Sequence, residues 1–145
     1  MADWENIPSE EELENWYGFV YLITRLNALE GEPKFYIGCK KLKSKRKLPP
    51  LKGAKRKRTV VKKSDYETYY GSSNELLKDI EKYGKENFKR EVLKMCTCQW
   101  QLKYEELWYQ IKENVILKNN YYNGILNARI GKVPNKLVEE YKHFM

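Results

Sequence analysis

GFVYLIT (residues 18–24) and KFYIG (residues 34–38) decide how this chain is read. Both runs are rich in β-branched and aromatic residues, which predicts two strands. The stretch between them, RLNALEGEP, holds Gly31 and Pro33 and reads as a loop, so the strands pair antiparallel as a hairpin. Tyr21 and Tyr36 then sit on adjacent strands, each near a glycine, Gly18 and Gly38. If both side chains point to one face, their hydroxyls lie close together. The plain alternative is a pair of ordinary strand aromatics, which are common. A phenol titrates at about 10 when unperturbed, so it becomes a useful proton acceptor or phosphate donor only in a cationic neighbourhood. Such a neighbourhood follows Tyr36 directly.

The segment KKLKSKRKLPPLKGAKRKRTVVKK, residues 40–63, contains no acid at all. By contrast, residues 1–16 carry Asp3, Glu5, Glu10, Glu11, Glu12 and Glu14 with no Lys or Arg, so the formal net charge of +8 conceals a sharp asymmetry. Basic residues clustered this tightly are the electrostatic footprint of a polyanion partner. The bland reading is a solvated loop whose charge serves solubility. Phosphate attracts Lys and Arg without sequence preference, so the run alone does not separate DNA, RNA and anionic lipid. A membrane is the weakest of these, because no Trp or Phe is interleaved to enter the interface.

Outward from this centre, the chain of 145 residues reads as one domain. Its 14% aromatic content argues against disorder despite 33% charged residues, since large buried rings offset the entropy of ordering. No stretch approaches the roughly 18 apolar residues of a membrane span, and the acidic start is unlike a secretory signal. Three cysteines (Cys39, Cys96, Cys98) are too few and too odd in number for a disulfide framework. With His143 the single histidine, a zinc site is also disfavoured. The chain reads as soluble, reduced and cytoplasmic, without membrane association.

Residues 1–16 read as a mobile acidic arm, with a short helix over SEEELENW that Ser9 caps. Within the basic insertion, broken by Pro49, Pro50 and Gly53, KRTVVKK reads as a short exposed strand. A helix follows Tyr69-Tyr70-Gly71, capped by Ser72 or Ser73, striped by Leu76, Leu77, Ile80 and Tyr83, and ended by Gly84. FKREVLKMC (88–96) is the third strand, and a long helix runs from Gln99 to Asn114. YYNGILNARIGK reads as loop or short strand, and PNKLVEEYKHF as a terminal helix starting at Pro134. The order implies an α/β protein with a small antiparallel sheet of about three strands flanked by helices, carrying a basic insertion after the second strand. The expected divisions are an acidic arm over 1–16, a main domain over 17–126 with its insertion at 40–65, and a helical tail over 127–145.

On the long helix, a wheel at about 100° per residue gathers Leu107, Trp108, Ile111 and Val115 around Tyr104 as the buried stripe. Glu106 then falls opposite the stripe, where an acid is simply solvated, while Glu105 lies at its edge and faces a cleft. A lone carboxylate near basic residues is most often a salt-bridge partner. The alternative is a ligand of a hard cation such as Mg²⁺, which takes one or two carboxylates, waters and a substrate phosphate. One acid, several bases and two phenols suit a phosphodiester better than a sugar or a peptide.

These residues resemble the GIY-YIG nucleases. GFVY (18–21) followed by FYIG (35–38) looks like the paired motif of that family, with Tyr21 and Tyr36 as its two tyrosines. The wider pattern, YIGCK with a basic insert, then YYGSS, YGKENFKRE, YEE and YYN, is similar to small phage-encoded members related to free-standing homing endonucleases. The resemblance implies a GIY-YIG-like fold and hydrolysis of DNA, expected to be double-stranded, with Mg²⁺ or Mn²⁺ as cofactor, inside a bacterial host cell if phage-encoded. It places the family's essential arginine at Arg46, its metal-binding glutamate at Glu105 in Glu105-x-x-Trp108, and its late asparagine at Asn123. It also matches Ser72 and Ser73 to a serine pair at a helix head, where backbone N–H groups can hold a phosphate. Lys40, Lys41, Lys45, Lys55, Arg56, Lys57 and Arg58 would bind the nucleic acid with those serines.

Two departures stand out. The His or Tyr that family members often carry one helical turn after the arginine is here Pro50, so Tyr70 or a nearby lysine would take its place. The insert also interrupts what is usually a helix, which leaves Arg56 or Arg58 as alternatives to Arg46. On this reading Tyr21, its pKa lowered by neighbouring cations, takes a proton from the attacking water or orients it, Tyr36 holds a phosphate oxygen or the water, Arg46 offsets the charge on phosphorus, and Asn123 braces the glutamate or the backbone. A single site nicks, so a double-strand cut needs a homodimer or two events. The rival reading is a non-catalytic nucleic-acid-binding module in which the sheet tyrosines stack on bases. A structural component of a nucleoprotein assembly would need the basic loop alone.

Overall fold

The computed structural model describes residues 3–126 and 129–144, with the side chain of Arg46 left outside the description. A mixed four-stranded sheet has the order β1-β6-β2-β3 and is built from β1 (Trp4–Glu5), β2 (Gly18–Arg25), β3 (Phe35–Lys41) and β6 (Phe88–Cys96). Strand β2 pairs antiparallel with both neighbours, and β1 runs parallel to β6. A separate two-stranded sheet holds β4 (Lys43–Leu48) and β5 (Arg58–Lys63). The helices are α1 (Glu10–Leu13), α2 (Asn74–Tyr83), α3 (Gln99–Lys112) and α4 (Val138–Tyr141). Among the described residues no helix is long and apolar enough to cross a membrane.

β2 is the centre of the molecule because both of its faces are covered. Phe19, Tyr21 and Ile23 point to one side and join Leu76 and Ile80 of α2, Phe88, Val92, Tyr66 and Tyr70 in one core. Val20 points to the other side, where Ile37, Cys96, Leu102 of α3 and Val115 form a second, smaller core. A strand buried on both faces reads as a continuous apolar run, as GFVYLIT does. Ser73 caps α2 by accepting from the Leu76 N–H at 3.3 Å, and Gly84 ends it with a left-handed φ of 90°. Ser9 caps α1 in the same way by accepting from the Glu12 N–H.

Three expectations are corrected. First, residues 4–13 are built into the body and are not a mobile arm. Trp4 is buried against Phe19 and Tyr21, its indole N–H donates to the Tyr66 carbonyl at 2.7 Å, and its backbone adds a fourth strand beside β6. Second, the basic insertion is a two-stranded ribbon and not a single exposed strand: KRTVVKK forms β5 as expected, and Lys43–Leu48 pairs with it as β4, from Lys43↔Lys63 to Leu48↔Arg58. Third, the terminal helix is broken into α4 between two short 3-10 turns, Asn135–Leu137 and Lys142–Phe144. The loop expected over YYNGILNARIGK includes residues 127 and 128, which lie outside the described residues.

Because Trp4 fills the core beside the first strand, its truncation should behave as a core cavity. Trp4→Ala is expected to lower the unfolding free energy by about 3–5 kcal/mol in a urea titration. A change within about 0.5 kcal/mol would be the signature of a detached arm.

Candidate active site

The site begins with the register of β2 on β3. Tyr21 lies opposite Gly38, and Tyr36 opposite Ile23, so both tyrosines share one face with their ring centroids 6.2 Å apart. Tyr21 lies across Gly38. A Cβ there would overlap the Tyr21 hydroxyl and fall 2.7 Å from its Cζ, so the glycine is what admits the ring. On the other side of β2 the register against β6 slips between Val20 and Tyr21, a bulge of the kind that re-aims a side chain beside a functional site. Gly71, at a left-handed φ of 93°, brings its loop against the Tyr36 ring, where a Cβ would stand 3.0 Å away.

β3 is the outer strand of the main sheet, and its open edge is satisfied residue by residue. The Phe35 N–H donates to the Asn120 carbonyl at 3.0 Å, and the Phe35 carbonyl accepts from the Tyr122 N–H at 2.7 Å. Asn123 acts like a missing strand for Ile37. Its Oδ1 accepts from the Ile37 N–H at 3.0 Å and its Nδ2 donates to the Ile37 carbonyl at 2.8 Å, joined by Gln110 Nε2 at 3.0 Å. Glu106 stands beside the next outward residue, Cys39, whose backbone and thiol favour the charged form of its carboxyl.

Around this edge lies a cavity of about 480 Å³, walled by Tyr21, Tyr36, Tyr69 and Ser72 on one side and Lys103 and Glu106 on the other. Lys103, Glu106 and Gln110 form its α3 wall because their spacing puts them on one helical stripe. Tyr36 and Ser72 hydroxyls are 3.1 Å apart, and Lys103 Nζ lies 3.8 Å from Cys39 Sγ. The Tyr69 ring packs edge-on against Tyr21 with centroids 6.0 Å apart, and Lys40 Nζ sits 4.0 Å over the Tyr69 ring while pairing with Asp65 at 2.6 Å. Arg90 fixes this loop from behind, donating to the carbonyls of Glu67 and Tyr69 at 3.0 and 2.9 Å.

Burial dominates the electrostatics. It pushes the Tyr21 phenol well above its usual value, with Tyr36 and Tyr69 adding to the shift, and it raises Tyr36 as well. The expectation of a Tyr21 pKa lowered by nearby cations is therefore corrected: the phenol is desolvated, and the titratable groups that act on it most are the phenols of Tyr36 and Tyr69, which raise it further. Burial likewise raises the Glu106 carboxyl and pushes the Cys39 thiol up to about 12.

Glu105 is not in this cavity, which corrects its expected place. It is buried on the far side of α3, where the Tyr141 hydroxyl donates to its Oε1 at 2.7 Å. The helical wheel failed because α3 buries Gln101, Leu102, Glu105 and Gln110, leaving Trp108 and Ile111 exposed. Val115, used to orient the stripe, lies beyond the helix end, after a left-handed Asn114. Tyr70 also points elsewhere: it is buried with Arg90 stacked 4.2 Å from its ring centre.

Of the remaining expected residues, Ser72 and Ser73 line the cavity, and Lys40 and Lys41 end β3 beside it. Lys45 lies on β4, Arg58 opens β5, and Lys55, Arg56 and Lys57 belong to the exposed turn between them. None of these five lines the cavity. Arg46 pairs with Val60 in the ribbon, and its side chain lies outside the described residues. Sequence reasoning missed Tyr69, Lys103, Glu106 and Gln110. The tyrosine doublet at 69–70 and the spacing of Lys103, Glu106 and Gln110 were the available signals.

An α/β fold with an antiparallel-rich sheet and two tyrosines paired across adjacent strands is consistent with a nuclease domain of the GIY-YIG class. The comparison with protein families agrees: the model described as "Putative endonuclease segE, GIY-YIG domain" matches residues 4–126, and the chain belongs to this segE family of GIY-YIG nucleases. Neither the curated proteins nor the solved structures contain a match to the chain.

The buried phenol has a consequence for alkaline stability. Folded Tyr21 keeps its proton where the unfolded chain releases it, so above about pH 10 the unfolded state binds fewer protons and stability falls with rising pH. Tyr21→Phe should make that decline shallower, by up to about 1.4 kcal/mol per pH unit, in unfolding titrations run between pH 9 and 11.

Proposed function

We propose that this nuclease is a metal-dependent endonuclease that hydrolyses a phosphodiester in the cavity at the edge of β3, with Glu106 as its metal-binding carboxylate. The observation that carries this reading is Glu106 itself. It is the carboxylate among the cavity's lining residues, it faces the paired tyrosines, and burial raises its carboxyl, a shift that a bound cation would oppose as Lys103 does. That donor set fits a hard divalent cation, which takes one or two carboxylates and completes its shell with water and substrate phosphate. When bound, Mg²⁺ or Mn²⁺ polarises the phosphate and stabilises the leaving oxygen.

The chain's own groups supply the rest. Tyr36 and Ser72 offer hydroxyl donors to a non-bridging phosphate oxygen, and the ammonium of Lys103 offsets the negative charge that grows at phosphorus. This is the part that family resemblance assigns to Arg46. Tyr21 acts as a neutral phenol, in keeping with its raised pKa. Its oxygen accepts the hydrogen bond of the attacking water. As the new P–O bond forms and the old one breaks, the water's proton passes to Tyr21 while the Tyr21 proton passes to Tyr69, and from there to solvent. The leaving alkoxide takes a proton from solvent. Tyr69 thus fills the role vacated at Pro50, and Asn123 positions β3 without touching the substrate. One such site nicks a strand, so a double-strand cut takes two copies or two events.

The test is plasmid cleavage. Wild-type protein should nick supercoiled DNA with Mg²⁺ or Mn²⁺ and stop on chelation. Glu106→Gln, which keeps the size of the side chain, should lose at least about 10²-fold in rate, while Glu105→Gln should remain within about threefold. Loss in the Glu105 variant alone would overturn the choice of carboxylate. Binding of DNA without cleavage by the wild type would favour the non-catalytic module.

A further inference from the structure

The β4–β5 ribbon is the largest feature that the cavity does not use. It makes no extensive contact with any helix or with the main sheet, and most of its side chains are exposed on both faces. A lone two-stranded sheet is marginal in water, so this one has been retained without the burial that normally supports a hairpin. Between Lys43 and Lys63 the chain carries 11 Lys and Arg and no acid, which makes its partner a polyanion.

Shape then selects among polyanions. Two strands about 4.8 Å apart and six residues, roughly 20 Å, in length match the major groove of B-DNA, about 12 Å wide, which admits a two-stranded ribbon. The minor groove, about 6 Å wide, does not. The major groove of A-form RNA is too narrow for side chains to read. Single strands are held on aromatic platforms, and residues 43–63 contain no aromatic ring. The same lack of Trp and Phe argues against a lipid surface.

The foot of the ribbon fixes where the duplex runs. Only Leu42 separates β3 from β4, and the Ser64 N–H donates to the Leu42 carbonyl at 2.9 Å. A second cavity of about 460 Å³, lined by Lys40, Lys41 and Ser44, shares Cys39, Tyr69 and Lys103 with the first, so a cationic trough continues from the tyrosines to the ribbon. The register divides the ribbon's faces. Lys43, Lys45, Lys47, Thr59, Val61 and Lys63 share one face by register, and at the foot of the ribbon Lys43, Val61, Lys62 and Lys63 line a cleft against acidic α1, where Glu14 pairs with Lys43 at 2.9 Å. Ser44, Leu48, Arg58 and Lys62 belong to the opposite face.

We infer that the β4–β5 ribbon enters the major groove of duplex DNA beside the cleavage cavity, with Arg58 and Lys62 at base edges and Lys52, Lys55 and Lys57 of the turn on the phosphate backbone. The inference rests on the nuclease reading of the adjoining cavity.

Fluorescence anisotropy in chelator, which prevents cleavage, tests it with a labelled DNA duplex, its single strand, an RNA duplex of the same sequence, and a DNA duplex whose purines are replaced by 7-deazapurines. The wild type should bind the natural duplex at least about tenfold more tightly than the other three, since loss of N7 removes the acceptor that Arg and Lys read. Arg58→Ser with Lys62→Ser should abolish the difference between natural and 7-deaza duplexes. Lys52→Ser with Lys55→Ser and Lys57→Ser should keep that difference but flatten the log–log salt dependence by about 0.9 for each phosphate left without its lysine. All five positions are solvent-exposed, so circular dichroism should be unchanged. Equal binding of single strand or RNA, or indifference of the wild type to 7-deazapurines, would overturn the inference. Hydrolysis of bis(p-nitrophenyl) phosphate by the wild type with Mn²⁺ reports the cavity separately. Groove binding in a protein that hydrolyses no diester would sink the nuclease reading and leave the ribbon assignment standing.

Discussion

The pairing of Tyr21 against Gly38 is the contact on which the rest of the site depends. In an antiparallel pair, a slip of one residue sends every side chain to the opposite face. Here such a slip would bury Tyr21 in the smaller core and set a side chain where the glycine makes room. The register holds because both cores specify it. Phe19, Tyr21 and Ile23 need the α2 side, while Val20 and Ile37 need the α3 side. The stability of the sheet and the aim of the tyrosine are one constraint.

The second constraint is the open edge of β3. An outer strand exposes N–H and C=O groups that would otherwise invite another chain. This protein closes the edge at Ile37 with Asn123 and Gln110 in place of a further strand. The arrangement leaves the edge reachable by a substrate, which a fifth strand would not. A half-buried carboxylate is tolerated there because Cys39 and the ammonium of Lys103, one turn earlier on α3, favour its charged form against the burial that disfavours it.

The fold was legible where patterns were strong. GFVYLIT, FKREVLKMC and the capped helix at 74–83 fall where apolar runs, Ser73 and Gly84 put them. The site was legible in its tyrosines, because they sit on those strands. Its carboxylate was not. The buried face of α3 carries Gln101 and Gln110, whose burial comes from hydrogen bonds to Thr97 and Ile37, and a wheel that counts only apolar residues cannot see such reasons. Meanwhile Trp100 and Tyr104 pack on Tyr141 from the tail, so part of the outer face is apolar for a purpose unrelated to the sheet. Trp4 was hidden differently: a single aromatic in an acidic segment has no periodicity to announce it.

The insertion between β3 and the Tyr69 loop raises the question of how the site survives it. Closing a loop costs little more as the loop lengthens, provided that its ends meet. Here they meet closely. Ser64 donates to the Leu42 carbonyl through its N–H and to the Lys41 carbonyl through its hydroxyl at 2.5 Å, and Lys40 pairs with Asp65 immediately beyond. The ribbon is thus a closed excursion, and Tyr69 reaches Tyr21 as though the chain had turned directly from Leu42 to Ser64. The surface ion pairs at the foot, Lys43 with Glu14 and Lys63 with Glu67, each contribute little to stability. They are short links between a charged ribbon and the body, and they bear on its direction more than on its folding. The acidic N-terminal segment and the basic insertion, the two opposite extremes of the chain's charge, meet at that foot.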